Sequence, residues 1–149
     1  MTLNTLPLDI AMTEVAAALH GAAGFHEPWT ARAFADLLVM PGAAGLLVLA
    51  DREPVGLVLW RIAADEAEIL TICTLPTRRR AGAARHLLAA ASGAIQAAGV
   101  RRLFLEVAVD NEAAIGLYRA FGFTDEGRRR GYYQGPHGTV DALILGRDI

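Results

Sequence analysis

Thr71-Ile-Cys-Thr-Leu-Pro76, continued by Thr-Arg-Arg-Arg-Ala-Gly82-Ala-Ala-Arg-His-Leu-Leu88, is the stretch around which the chain is organised. It reads as a strand broken by Pro76, an arginine-rich loop through Gly82, and the start of a long alanine-rich helix. Gly82 lets the backbone approach a ligand, and the small Ala83 and Ala84 leave that approach open. The first N–H groups of a helix have no partner within it, and together with the helix dipole they favour an anion. Arg78, Arg79, Arg80 and Arg85 add positive charge. Taken alone, a helix start with solvated arginines explains the stretch equally well. No Gly-Lys-Ser/Thr follows, so it is not a Walker loop, and the three-glycine dinucleotide fingerprint is missing.

Before this loop come three strand-length segments. Gly45 to Ala50 and Val55 to Ile62 are apolar runs separated by Asp51-Arg-Glu-Pro54, which predicts a hairpin. Glu68 to Thr74 is the strand that leads into the loop. Further upstream, residues 3–6 suit a short strand. Asp9 or Thr13 is positioned to cap an alanine-rich helix ending near Gly21 or Gly24. His26-Glu-Pro28-Trp29-Thr30 leads into a second helix, with Thr30 as its cap and Phe34, Leu37 and Leu38 on its buried face. Pro41 and Gly42 stop it.

After the loop, the helix from about Gly82 to Ala98 is closed by Gly99. Arg101 to Val107 is the next strand, and a strand, a crossover helix and a strand imply a parallel, right-handed connection. Asp110-Asn111 caps a helix running to Phe121 and stopped by Gly122. Gly127 to Tyr133 and Val140 to Leu145 form two strands joined through Gln134-Gly-Pro-His-Gly138. No repeat or linker interrupts the pattern. It is that of one α/β domain, residues 1–149, with a mixed sheet covered by helices on both faces.

Composition narrows the chemistry. The chain has 149 residues, 54% hydrophobic and 20% charged, which suits a globular protein with its own core. No apolar run approaches the ~18 residues of a membrane helix, and no cationic segment precedes an apolar one before Arg32. No membrane association and no leader are therefore expected. A single cysteine, Cys73, excludes an internal disulfide and fits a cytoplasmic location. All basic residues are arginine, so Schiff-base catalysis, which needs a lysine, is excluded. Residues 1–70 carry nine acids against three arginines, and residues 71–149 carry seven acids against eleven. A basic half suits a phosphorylated cofactor and an acidic half a cationic acceptor, although chance scatter gives the same pattern in a short chain.

Glu106 stands in an apolar strand among Leu103, Phe104, Leu105, Val107 and Val109, where a carboxylate is seldom buried without a partner or a task. A place at the strand's exposed end, paired with a nearby arginine, is the plain alternative. Tyr118 shares a helix face with Ala114, Leu117 and Phe121, and spacing alone makes it a core aromatic. On the same grounds Asn111 is a helix cap.

Together these residues carry more. Arg79-x-x-Gly82-x-Ala84 after a strand and Pro76 resembles the acetyl-CoA loop of the GNAT N-acetyltransferases, written Gln/Arg-x-x-Gly-x-Gly/Ala. Leu105-Glu106-Val107, Asn111-Glu-Ala-Ala-Ile-Gly-Leu-Tyr118 and Phe121-Gly122-Phe123 resemble the second half of that domain. Pro28-Trp29, Leu70-Thr-Ile72, Arg129-Arg130-Gly131-Tyr132-Tyr133 and Asp141-Ala142-Leu143 extend the resemblance to the RimI type, the ribosomal-protein-alanine N-acetyltransferases. It covers essentially the whole chain. The resemblance implies the GNAT fold, with about six to seven strands in a mixed sheet and about four helices. It also implies direct transfer of acetyl from acetyl-CoA to a protein N-terminal α-amine, typically that of a small-subunit ribosomal protein. In that family the residue matching Glu106 accepts a proton, directly or through water, and the residue matching Tyr118 gives one to the departing thiolate. Ile72, Cys73, Thr74, Arg79, Arg80, Ala81, Gly82, Ala83, Ala84, Arg85, Asn111 and Tyr118 match the cofactor-contacting positions.

Ala81 stands where the family often has a basic or polar residue, and Cys73 and Thr74 where small or branched apolar residues are common. Pro28, Trp29, Tyr132 and Tyr133 are candidates for an acceptor groove, with packing the equal alternative. No metal is expected, because His20, His26, His86 and His137 show no ligand spacing. The arginine triplets 78–80 and 128–130 come without an RNA-binding motif in a chain of net charge -2, so direct nucleic-acid binding is not expected. Two other readings stay open: the same fold acting on a lysine, polyamine or small metabolite, and a non-catalytic acyl-CoA-binding regulatory subunit.

Overall fold

The apolar run at 55–62 belongs to a strand, β3 (Glu53–Ala63), that is buried on both faces. Leu57 and Leu59 pack with Ala16, Leu19 and Phe34, which come from α1 (Thr13–Ala22) and α2 (Ala31–Leu38). Val58 and Trp60, pointing the other way, pack with residues of α3 (Ala83–Ala97) and α4 (Glu112–Ala120). The computed structural model describes residues 2–25, 27–79 and 81–149. Among these, seven strands form one sheet: β1 (Leu3–Pro7), β2 (Ala43–Ala50), β3, β4 (Glu66–Thr74), β5 (Arg102–Ala108), β6 (Thr124–Gly135) and β7 (Gly138–Asp148). Their spatial order is β1-β2-β3-β4-β5-β7-β6. Seven strands and four α-helices agree with the counts expected from the sequence.

α3 is the crossover between the parallel pair β4 and β5, as the sequence implies. Ala83, Leu87, Ala91 and Ile95 recur every four residues, and with Leu88 they form its buried face. The alanines let the helix lie close to the sheet. Each of the larger side chains contributes about 1.5–3 kcal/mol on full burial. Every other strand pairing is antiparallel.

The pairing of β4 with β5 stops early. It covers only Glu66–Ile69 against Arg102–Leu105. At the same level β4 carries a bulge on its other edge: Trp60 faces Ile69 and Leu59 faces Thr71, which leaves Leu70 as the extra residue. A bulge bends its strand, and here the two strands part beyond it, opening a gap in the middle of the sheet.

Several local expectations shift. The turn of the β2–β3 hairpin is Asp51-Arg52 alone, with both residues at positive φ (48° and 76°), while Glu53 and Pro54 already belong to β3. That geometry matches strand twist in a two-residue hairpin, and the Asp51 side chain accepts the Thr2 N–H at 2.9 Å. Asp9 caps not α1 but a 3-10 turn before it (Ile10–Met12), accepting the Ala11 N–H at 2.8 Å. Thr30 caps α2 by accepting the Ala33 N–H at 3.1 Å. Among the described residues no helix is long and apolar enough to cross a membrane.

Candidate active site

The loop after β4 makes a 3-10 turn from Pro76 to Arg78 and reaches α3 through Gly82, whose φ of 85° lies in the left-handed region. No side chain caps α3, so the N–H groups of its first turn lack partners within the helix. A Cβ at Gly82 would meet nothing within 4 Å, so the glycine opens that turn outward. The turn borders a cavity of about 850 Å³ lined by Ile72, Cys73 and Thr74 of β4, by Arg78 and Arg79, by Gly82 to Arg85, and by one face of α4. Arg79 spans it, donating to the carbonyl of Ala23 at the end of α1 at 2.5 Å.

A second cavity, also about 850 Å³, lies on the α1–α2 side of the sheet between the segment around Trp29 and the β6–β7 hairpin. Glu106, Thr71, Tyr132 and Tyr133 line it. Gly24, Phe25, Ile72, Asn111 and Tyr118 line both cavities, so the two spaces meet at the gap between β4 and β5.

Glu106 and Tyr118 both reach the second cavity. Leu103, Leu105 and Val107 of β5 face α3 and α4, which turns Glu106 to the opposite side. Tyr118 sits on α4, yet both residues line the second cavity. The Glu106 side chain is only 9% exposed, and its Oε1 accepts from Arg129 Nε at 2.9 Å. The exposed strand end is therefore wrong as a location, although the arginine partner is present. Tyr118 is 6% exposed and meets Phe123 edge to face at 5.9 Å. Burial first, then the nearby Tyr133 and Cys73, raise its hydroxyl pKa well above the usual phenol value. Burial likewise pushes Tyr133 up to about 12, helped by the charge of Glu106. Glu68, which faces the same side as Glu106, is raised by burial first and then by Glu106.

Of the cofactor candidates, Ile72, Cys73, Thr74, Arg79, Gly82, Ala83, Ala84, Arg85, Asn111 and Tyr118 line the first cavity. Ala81 does not, and Arg80 lies outside the described residues. Asn111 also caps α4, accepting the Ala114 N–H at 3.2 Å. Trp29, Tyr132 and Tyr133 line the second cavity. Pro28 lines neither and is exposed beside Trp29, ahead of the α2 cap. Cys73 is buried, and its thiol pKa is pushed up to about 12 by burial, so it holds its proton and packs with Leu57 and Leu59. Among the described residues no group of side chains could hold a metal ion.

Sequence reasoning gave His20 an ordinary surface or core role. It is 2% exposed and ties the wall of the second cavity together. Its Nδ1 accepts the Trp29 N–H at 3.0 Å, which leaves Nε2 to donate to Thr71 Oγ1 at 3.1 Å. Phe25 stacks on the ring at 4.0 Å. Burial lowers its pKa from 6.5 to about 4. The unfolded chain therefore takes up a proton below about pH 6.5, while the folded protein resists until about pH 4. Stability conferred by neutral His20 is complete above that window and lost as pH falls through it, with a slope of up to about 1.4 kcal/mol per pH unit. Urea midpoints should fall between pH 7 and pH 4.5, and His20→Asn, which keeps an acceptor for Trp29 but does not titrate, should show a shallower decline. Equal slopes in both proteins would remove His20 from the acid response.

The family described as acetyltransferase (GNAT) matches residues 12–123, and the chain belongs to it. Over 104 residues, 70% of each chain, it is 35% identical to the [ribosomal protein bS18]-alanine N-acetyltransferase of Salmonella typhimurium. It is 37% identical to that of Escherichia coli over 89 residues, 60% of each chain. Among solved structures, the ribosomal-protein-S18-alanine N-acetyltransferase from Escherichia coli superposes with a TM-score of 0.93 at 27% identity, covering 99% of this chain and 94% of that one.

Proposed function

We propose that the chain transfers acetyl from acetyl-CoA to the α-amine of a protein N-terminus, with an N-terminal alanine of a ribosomal protein as acceptor. One observation carries this reading: two cavities meet at a break in the sheet, with Tyr118 lining both and Glu106 lining the second. Relatives named for alanine N-acetylation of ribosomal protein bS18 supply the acceptor. Such an acceptor sets the reaction in the cytoplasm.

The first cavity suits the donor. Unpaired N–H groups at the start of α3 and the outward opening at Gly82 fit a pyrophosphate, with Arg79 and Arg85 adding cations. When bound, acetyl-CoA supplies an activated acyl group on a thiol leaving group. N–H groups on the free edge of β4 beyond the bulge are positioned to polarise a carbonyl at the gap.

Glu106, reached from the second cavity, takes the proton that the amine loses on acylation. The demand is modest for an α-amine. With a reference pKa of ~7.7–8.0, about a quarter of it is already neutral near pH ~7.4, against about a thousandth of a lysine side chain. Tyr118, at the junction, faces the departing sulfur with a hydroxyl that is fully protonated.

Mass spectrometry after incubation with acetyl-CoA and a panel of acceptors tests the reading. The panel holds peptides with N-terminal alanine, including that of the ribosomal protein, blocked peptides containing lysine, and polyamines. Acetyl is expected on the N-terminal alanine; acetylation confined to polyamines or lysine would refute the acceptor assignment, and none on any amine would favour the regulatory-subunit alternative.

A further inference from the structure

The carboxylate of Glu106 is nearly enclosed, and the cation it holds comes from the protein itself. The ion pair with Arg129 is lopsided: the Glu106 side chain is 9% exposed and that of Arg129 is 55% exposed. Losing the pair would leave a carboxylate buried without a partner, which is costly, whereas the guanidinium would return to water at little cost. While paired with Glu106, Arg129 also touches a second group: its guanidinium carbon lies 5.1 Å from the centre of the half-exposed Tyr132 ring, a contact that can hold the cation once the carboxylate is taken.

Local structure lets the side chain move without moving the strand. Arg129 pairs with Ala142, and the next pair is Tyr133 with Val140, so residues 130–132 bulge out of β6 opposite Asp141 alone. Asp141 fixes that bulge, accepting the Gly131 N–H at 2.8 Å and Arg128 Nε at 2.7 Å. Arg129 stands at the root of the bulge, its backbone held in the β6–β7 pairing and its side chain reaching Glu106, which lines the cavity. The other charged or titratable groups near this pair are Glu68 of β4 and Tyr132 and Tyr133 of β6.

We propose that Arg129 is a stand-in for the acceptor: its guanidinium occupies the cation seat on Glu106 until the acceptor's ammonium takes its place, and is then held by Tyr132 and water alone. This makes Arg129 a positioning residue that keeps the Glu106 carboxylate partnered and aimed in the absence of acceptor. The inference rests on the reading of Glu106 as facing the amine, and it concerns any primary ammonium, whichever acceptor carries it.

Two measurements decide it. In the first, the Nε–H signal of Arg129 is followed by NMR while alaninamide or N-acetylalaninamide is added to saturation. The signal should shift and exchange faster with the ammonium compound and stay still with the acetylated one. No change with either, or the same change with both, would overturn the proposal. In the second, Arg129→Ala should lower the acceptor KM about fivefold or more by removing an internal competitor, since a pair with one enclosed partner is at least as strong as an exposed one. The variant's acetyl-CoA KM should stay near wild type, because Arg129 is not among the residues lining the first cavity, and Arg129→Lys should restore the acceptor KM. An unchanged or raised acceptor KM would count against an internal competitor. Displacement by alaninamide in a protein that acetylates no alanine peptide would leave this inference standing and refute the acceptor assignment alone.

Discussion

Glu106→Gln is expected to lower kcat by about 10²–10⁴-fold, the range for a positioned general base, while the affinity for acetyl-CoA stays close to wild type. The substitution keeps shape and an acceptor oxygen. Gln Oε1 can still accept from Arg129 Nε, now 2.9 Å from the carboxylate, so the second cavity should keep its form. What is lost is the capacity to take a proton from the attacking amine. The first cavity does not include Glu106 among its lining residues, so donor binding has no direct reason to change. Calorimetry with acetyl-CoA and steady-state kinetics with an alanine peptide separate the two effects. Raising the pH should recover part of the loss, because more of the α-amine is then neutral before it binds. Turnover within a few-fold of wild type at neutral pH would show that the proton leaves by another route.

How far the sequence reached depends on what kind of feature is asked about. The parallel β4–α3–β5 unit was legible because Pro76, Gly82 and Gly99 mark its corners and the buried residues of α3 recur at helical spacing. The loop was legible for the same reason. The gap was not. It arises from the extra residue Leu70, and in a strand covered on both faces one more apolar residue leaves no break in the pattern. The place of β7 between β5 and β6 is a matter of long-range pairing that no local signal reports. Glu106 drew attention as a carboxylate in an apolar run, yet its partner Arg129 lies on another strand, and which of several arginines would reach it required the fold. His20 gave no signal either: its importance comes from Trp29 and Thr71, nine and 51 residues away in sequence. Ala81 and Pro28 show the converse, being carried into the site by neighbours in the chain and placed off its lining by the backbone.

Tyr118→Phe is expected to lower kcat by about 10²–10³-fold, the range for losing one hydrogen-bond donor to a developing charge. Burial, with help from Tyr133 and Cys73, raises the hydroxyl's pKa, so it is neutral throughout the pH range of activity. A group so reluctant to ionise cannot hand its proton outright to a thiolate of reference pKa near ~8.5. The same dry surroundings also disfavour a bare thiolate, however, and raise its own affinity for a proton. The two shifts run in parallel, so under the proposed mechanism the hydroxyl is expected to hydrogen-bond the sulfur as charge builds on it. Removing that bond leaves the developing charge without a partner in a poorly solvated place, where such contacts count most. The phenyl ring would keep the edge-to-face contact with Phe123, so stability should change little. The decisive comparison uses acyl donors whose thiols differ in acidity. Tyr118→Phe should become more sensitive than wild type to the leaving group, and should gain most from a more acidic thiol. Equal sensitivity in both proteins would mean that the hydroxyl does not act on the sulfur, and Tyr118 would return to the packing role that its helical spacing alone suggests.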